Sequence, residues 1–375
     1  MISCGEASGD LYAGALAAAL RGLDPDIDVF GFGGPRLAAA GGSLVGDYRG
    51  FSVTGLSEAL RVLPRSWRML GALEAAARER RPDVFVAVDF PDFNFRLMRR
   101  LYRLGIPVVY YVSPQLWAWR PGRVEAIRTC VRKMLVIFPF EADLYEKAGV
   151  PVEFVGHPLV DLAVATRPRP DVAAAAGLDP DRPIVALLPG SRPNEVDRLL
   201  PGLVESARRI VRDRPQAQFL VARAPSLDDA LYAPVEAARS AGVPVAVLDS
   251  AADDVLGAAD VAVTASGTAT VQAALHGTPM VIVYRLSGLT YAIGRRFVRV
   301  GTYGMVNLVA GRPVVPELIQ ERFTPAAVAR EIIALLTDEA RRNTMRADLA
   351  EVRARLGGPG ASARAARAVL AAAGA

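Results

Sequence analysis

One run of residues is suited to proton transfer: Asp89-Phe90-Pro91-Asp92-Phe93-Asn94, directly after the apolar stretch Val84–Val88. Carboxylates at the carboxyl end of a parallel strand stand where α/β proteins bind ligands. With only two histidines, His157 and His276, in 375 residues, Asp89 is the natural general base for a hydroxyl. Asp92 and Asn94 share that turn, which could equally be an Asp-Pro-Asp turn bonded to its own backbone. Both histidines read as structural.

A second turn, Cys4-Gly5-Glu6-Ala7-Ser8-Gly9-Asp10, joins a short strand to a helix. Gly5 and Gly9 would admit a ligand close to the backbone. Glu6 and Asp10 would repel a pyrophosphate, and Ser8 could be a plain helix cap. Gly31-Phe32-Gly33-Gly34 lacks the last glycine of a dinucleotide fingerprint, so no nicotinamide site is expected. Ser113-Pro114-Gln115-Leu116-Trp117-Ala118-Trp119-Arg120 follows the apolar run Val108–Val112. Trp117 and Trp119 offer faces for sugar rings or for a core, and Arg120 offers a charge for an anion.

The second half of the chain has two strand–turn–helix junctions. Gly190-Ser191-Arg192 opens one helix and Ser266-Gly267-Thr268 another. Two such helix N-termini, with Arg192, could hold a diphosphate; singly each could be an ordinary capped loop. In Tyr284–Asn307, Arg295, Arg296 and Arg299 stand among Leu286, Leu289, Phe297 and Val300. That spacing separates a basic from an apolar face, which suits a lipid headgroup layer or a solvated amphipathic helix. Trp67, Met69 and Leu70 in Phe51–Leu73 suggest a further apolar surface.

These loops need a scaffold of alternating strands and helices. Apolar runs such as Asp28–Phe32, Val84–Val88, Val108–Val112, Met134–Ile137, Ile184–Leu188, Gln218–Ala222, Val261–Thr264 and Met280–Val283 read as parallel strands covered on both faces. Ala/Leu/Arg-rich stretches, including Leu11–Arg21, Ser66–Arg80, Val196–Arg212 and Pro325–Leu336, supply the crossovers. The fold class is α/β. Prolines 168, 170, 180 and 183 interrupt the alternation, which then restarts. The expectation is an N-terminal domain at 1–165, a second at 166–355 with a cleft between them, and a C-terminal helix at 356–375 free to pack back on the first.

Composition narrows the function classes. Apolar residues make up 52% of the chain, enough for sizeable cores and too many for disorder. A net charge of +5 is too weak to argue for nucleic acid, but suits an anionic ligand or membrane surface. Cys4 and Cys130 cannot form a disulfide framework, and no metal-ligand motif occurs. Met1–Leu20 lacks the features of a signal peptide, and no apolar stretch approaches the roughly 20 residues that span a bilayer.

Taken jointly and in order, these motifs resemble the lipid-A-disaccharide synthases, GT-B glycosyltransferases of outer-membrane glycolipid synthesis. Phe138-Pro139-Phe140-Glu141, Gly156-His157-Pro158 and Asn307-Leu308-Val309-Ala310-Gly311-Arg312 extend the resemblance. It implies two Rossmann-like parallel-sheet domains facing a central cleft, and inverting, metal-independent, cofactor-free transfer of 2,3-diacylglucosamine from UDP to 2,3-diacylglucosamine 1-phosphate. Asp89 and Arg192 match the family's essential residues. The implied donor side comprises Gly190, Ser191, Arg192, Glu195, Ser266, Gly267, Thr268, Gln272 and Asn307. The acceptor side comprises Gly5, Glu6, Ser8, Gly9, Asp10, Asp92, Asn94, Ser113, Trp117, Trp119 and Arg120. Arg295, Arg296 and Arg299 would face lipid, placing the protein peripherally on the cytoplasmic face of the inner membrane, with a homo-oligomer left open. Gln272 departs from the glutamate usual there, which in GT-B enzymes holds the ribose hydroxyls, so weaker nucleotide binding is expected. The rival readings are a hydrolysing UDP-N-acetylglucosamine 2-epimerase and a non-catalytic nucleotide-sugar or lipid-binding regulator.

Overall fold

The computed structural model describes residues 1–374 except 50, 52–55, 115–120, 225–226, 250–251 and 287–303. The chain divides into two compact units, residues 1–161 with 356–375, and residues 162–355.

In the first unit, strands β1 (Ile2–Cys4), β2 (Phe30–Gly33), β3 (Ser43–Asp47), β4 (Phe85–Val88), β5 (Val108–Tyr111), β6 (Lys133–Val136) and β7 (Val152–Phe154) form one parallel sheet. Helices α1 (Ala7–Leu23), α2 (Pro35–Ala39), α3 (Leu56–Arg80), α4 (Pro91–Arg103), α5 (Val124–Cys130) and α6 (Pro139–Lys147) connect them. The strand order β3-β2-β1-β4-β5-β6-β7 reverses direction between β1 and β4. Cys4 pairs with Val88 there, so the loops that leave both strands open side by side. Every residue of β4 and β5 is buried, which explains their unbroken apolar runs. Prolines at the first turns of α2, α4 and α6 mark the helix starts.

The C-terminal stretch belongs to this first unit. Helix Ala361–Ala373 packs on α1. Arg364 Nε donates to the Val155 carbonyl at 2.8 Å, and Arg132 to the Ala372 carbonyl at 2.8 Å. Asp161 accepts from the Gly360 and Ala361 amides, so the boundary falls at Asp161 rather than at 165.

Helix α7 (Leu159–Leu162) closes the first stretch of the first unit; the second unit has helices α8 (Arg169–Ala175), α9 (Pro193–Asp213), α10 (Ala233–Ser240), α11 (Ala252–Ala258) and α12 (Thr268–Leu275). Its strands are β8 (Ile184–Leu188), β9 (Gln218–Arg223), β10 (Val245–Asp249), β11 (Val261–Ala265), β12 (Met280–Tyr284) and β13 (Glu317–Ile319), parallel in the order β10-β9-β8-β11-β12-β13. Here the direction reverses between β8 and β11, where Thr264 pairs with Leu188. Both sheets therefore present a topological switch point, where open α/β sheets bind ligands.

Candidate active site

In the first unit, the turn after β4 is held in an unusual backbone conformation. Asp89 and Phe90 are both left-handed, with φ of 45° and 50°, and Val112 at the end of neighbouring β5 has φ of 64°. For a β-branched or bulky residue such angles are true outliers, and strain of this kind gathers at functional sites. Several bonds hold the turn. The Asp89 carbonyl accepts from Asn94 Nδ2 at 2.8 Å and from the Tyr110 hydroxyl at 2.9 Å. Ser3 Oγ donates to Asn94 Oδ1 at 2.7 Å, which ties β1 to the same turn. Burial holds the Tyr110 hydroxyl well above its ordinary pKa, so it remains a donor. The Asp89 side chain is half-buried at this edge.

Gly5 sits under the Phe90 ring, where a Cβ would lie 2.1 Å from a ring carbon. Only glycine allows that approach. The ring stacks on Phe93 at 5.4 Å and on Phe32 at 6.4 Å, so an aromatic layer braces the turn from below. Glu6 takes the N-cap position of α1, Ser8 lies within its first turn, and Gly9 is buried against Cys4 of β1.

Other residues read as acceptor-side serve the scaffold here. Asp10 is buried, and its carboxylate accepts from the amides of Gly34 at 2.8 Å, Arg36 at 2.9 Å and Leu37 at 3.1 Å. It thereby caps α2 from another element. Asn94, also buried, braces Asp89 as described. Asp92 is exposed and ion-paired with Arg123. Ser113 is buried, 2.8 Å from the Tyr145 hydroxyl. Trp117, Trp119 and Arg120 lie outside the described residues.

In the second unit, the loop after β8 is built differently. Gly190 has φ of 118°, and a Cβ there would lie 2.5 Å from Glu195 Oε2. Glu195 accepts from the Ser191 amide at 3.2 Å and pairs with Arg192 at 3.2 Å, fixing the guanidinium at the start of α9. Arg192 is partly exposed there, and as the N-cap residue it makes no side-chain cap bond to α9. The loop after β11 repeats the theme: Gly267, φ 150°, begins α12 without a side-chain cap, flanked by Ser266 and exposed Thr268. Two helix starts with one arginine suit a diphosphate.

Gln272 does not stand alone on α12. Its Nε2 donates to both oxygens of Asp253, at 3.1 Å each, and His276 Nε2 lies 3.0 Å from Asp253 Oδ1. Asn307 is buried: Nδ2 donates to the Val315 carbonyl and Glu317, and Oδ1 accepts from the amides of Val314 and Val315. It brackets the chain before β13.

Sequence reasoning missed Tyr110 and Asp253, since nothing local marks a strand tyrosine or a helix aspartate as a long-range partner. His157 is buried against Tyr12 and Phe138, and burial lowers its pKa to about 3. Of Trp67, Met69 and Leu70, only Trp67 is a surface residue, 52% exposed, with Arg96 and Arg100 over its ring at 5.4 and 5.6 Å. Leu70 and Leu73 instead face the core. Arg295, Arg296 and Arg299 lie outside the described residues. Among the described residues, no helix is long and apolar enough to cross a membrane.

Among solved structures, the chain resembles a UDP-N-acetylglucosamine 2-epimerase from Neisseria meningitidis, bound to UDP-GlcNAc, with a TM-score of 0.65 at 10% identity over 92% of each chain. It resembles a calicheamicin glycosyltransferase with a TM-score of 0.57 at 19% identity, covering 100% of this chain and 96% of that one. These likenesses show the GT-B fold. In sequence, it is 47% identical to the lipid-A-disaccharide synthase of Myxococcus xanthus over 99% of this chain and 96% of that protein. It is 46% identical to that of Geobacter metallireducens, with the same coverage. Residues 1–372 match the lipid-A-disaccharide synthetase family, and the chain therefore belongs to the lipid-A-disaccharide synthase family of glycosyltransferases.

Proposed function

We propose that the chain moves 2,3-diacylglucosamine from UDP to the 6-hydroxyl of 2,3-diacylglucosamine 1-phosphate, with inversion, yielding UDP and the β-1,6 disaccharide 1-phosphate. The observation that carries this reading is the strained Asp89–Phe90 turn, braced by Asn94 and Tyr110 at the switch point of the first sheet. A braced carboxylate suits a general base. Asp89 takes the proton as the acceptor oxygen bonds to the sugar C1 and the bond from C1 to the diphosphate oxygen breaks. The electron pair leaves with UDP. Arg192 and the starts of α9 and α12 offset its growing charge, so the reading asks for no metal.

The acyl chains of both substrates call for a membrane surface. Trp67 with Arg96 and Arg100 supports a peripheral contact, since an aromatic beside cations suits the headgroup layer. The same role for Arg295, Arg296 and Arg299 rests on the sequence pattern, and the cytoplasmic face of the inner membrane on the family alone.

The test is UDP release from the UDP-sugar with and without 2,3-diacylglucosamine 1-phosphate, with and without EDTA. Release that requires the acceptor and survives EDTA is the expected result. Release without acceptor would favour the epimerase reading, no release a binding protein, and rescue by Mg²⁺ would overturn the metal-free route.

A further inference from the structure

We infer that Asp253, oriented by Gln272 and His276, is the carboxylate that accepts the ribose hydroxyls of the nucleotide. This rests on the UDP-sugar reading above and deepens it. Gln272 and His276 are four residues apart on α12 and so share one face of that helix. Both reach the same carboxylate, on the first turn of α11. The Asp253 side chain is 26% exposed, so this is an open group held from two sides rather than a core bracket.

The chemistry of the three groups fits a vicinal diol. Each carboxylate oxygen accepts up to two bonds: Oδ1 is filled by Gln272 and His276, and Oδ2, bonded to Gln272 alone, keeps one place. The Gln272 amide oxygen is left as a second acceptor. The remaining place on Oδ2 and that amide oxygen give two acceptors for two neighbouring O–H donors. Position agrees as well. Gln272 is four residues beyond Thr268, about 6 Å along the axis, the scale of the step from a nucleotide's phosphates to its ribose. A glutamate at 272 would instead set two carboxylates about 3 Å apart, which disfavours both charges. Gln272 and Asp253 thus depend on each other.

The test compares UDP with 2′,3′-dideoxy-UDP by calorimetry on the full-length protein. The intact chain should bind UDP at least about tenfold more tightly than the dideoxy analogue, as expected for hydroxyls bonded to a charged group. Asp253→Asn should bring that ratio close to one. Gln272→Glu alone should weaken UDP through repulsion, and combining it with Asp253→Asn should restore the preference, because the charge then stands at 272. A wild-type ratio retained in Asp253→Asn would overturn the inference while leaving the UDP reading intact. Failure of the unaltered protein to bind either nucleotide would overturn both. Each ratio is internal to one variant, so partial loss of folded protein does not change it. Should Asp253→Asn not fold, Gln272→Met tests the same claim: a ratio unchanged from wild type overturns it, and a reduced ratio supports it.

Discussion

The two switch points carry the same topology and solve different problems. In the first unit, the loops after β4 and β5 hold non-glycine residues, Asp89, Phe90 and Val112, in left-handed conformations, with the Asp89 carbonyl fixed by donors from Asn94 and Tyr110. In the second, the corresponding positive angles fall on Gly190 and Gly267, which adopt them without strain. On the proposed reading, strain with bracing holds the Asp89 side chain for proton transfer. On the same reading, the glycine loops ahead of α9 and α12, with Arg192 held by Glu195, take the diphosphate. Under the proposed reaction, the comparison amounts to a division of labour: one sheet edge for proton transfer, the other for holding the donor.

The largest effect that would sharpen this contrast is loss of the carboxylate. Asp89→Asn should lower turnover by about 10²–10⁴-fold, the usual contribution of a general base. Steady-state rates on the purified variant check it, and retention of more than a tenth of the rate would break the contrast. Next comes Arg192→Ala, which should cost about 10²–10³-fold in kcat/KM by removing a donor aimed at developing charge. A UDP titration should show weaker binding as well, the signature separating the second edge from the first.

Acid should act through the first unit. The folded His157 titrates near 3 against an ordinary 6.5, because burial penalises its charged form. Its stabilisation is therefore complete above pH 6.5 and is withdrawn as the pH falls toward 3, by up to about 1.4 kcal/mol per pH unit. Denaturant midpoints measured between pH 7 and 4 should flatten in His157→Gln. An unchanged slope would mean that another group carries the acid response. The smallest effect is expected for Tyr110→Phe, which removes one of the two bonds on the Asp89 carbonyl. It should lose about 1 kcal/mol of stability, together with a measurable fall in kcat at unchanged UDP affinity.

Much of this scaffold was legible because its central strands are buried on both faces, so Ile184–Leu188 reads as one apolar run and forms β8 with those bounds. The edge strands β3 and β13 were not. Ser43–Asp47 is only half covered and Glu317–Ile319 is three residues long, so neither shows a run or a clear alternation. The chemical motifs were legible as local sequence, since a glycine or carboxylate after a strand is a neighbour in the chain. Their partners were not. Asp10 finds its amides at Gly34–Leu37, Asn94 finds Ser3, and Gln272 finds Asp253. Such pairings are set by how strands and helices come together, and local pattern carries no trace of them. Trp67 and Leu70 make the same point: three residues apart, one is on the surface and the other in the core.

The division of labour is tested most directly by a UDP titration of Asp89→Asn. If the first edge performs the chemistry and the second holds the donor, its Kd stays within about twofold of the wild-type value despite the collapse in turnover, a difference under about 0.5 kcal/mol. A Kd weakened by about tenfold or more, 1.4 kcal/mol, would place Asp89 in the donor site and contradict the account.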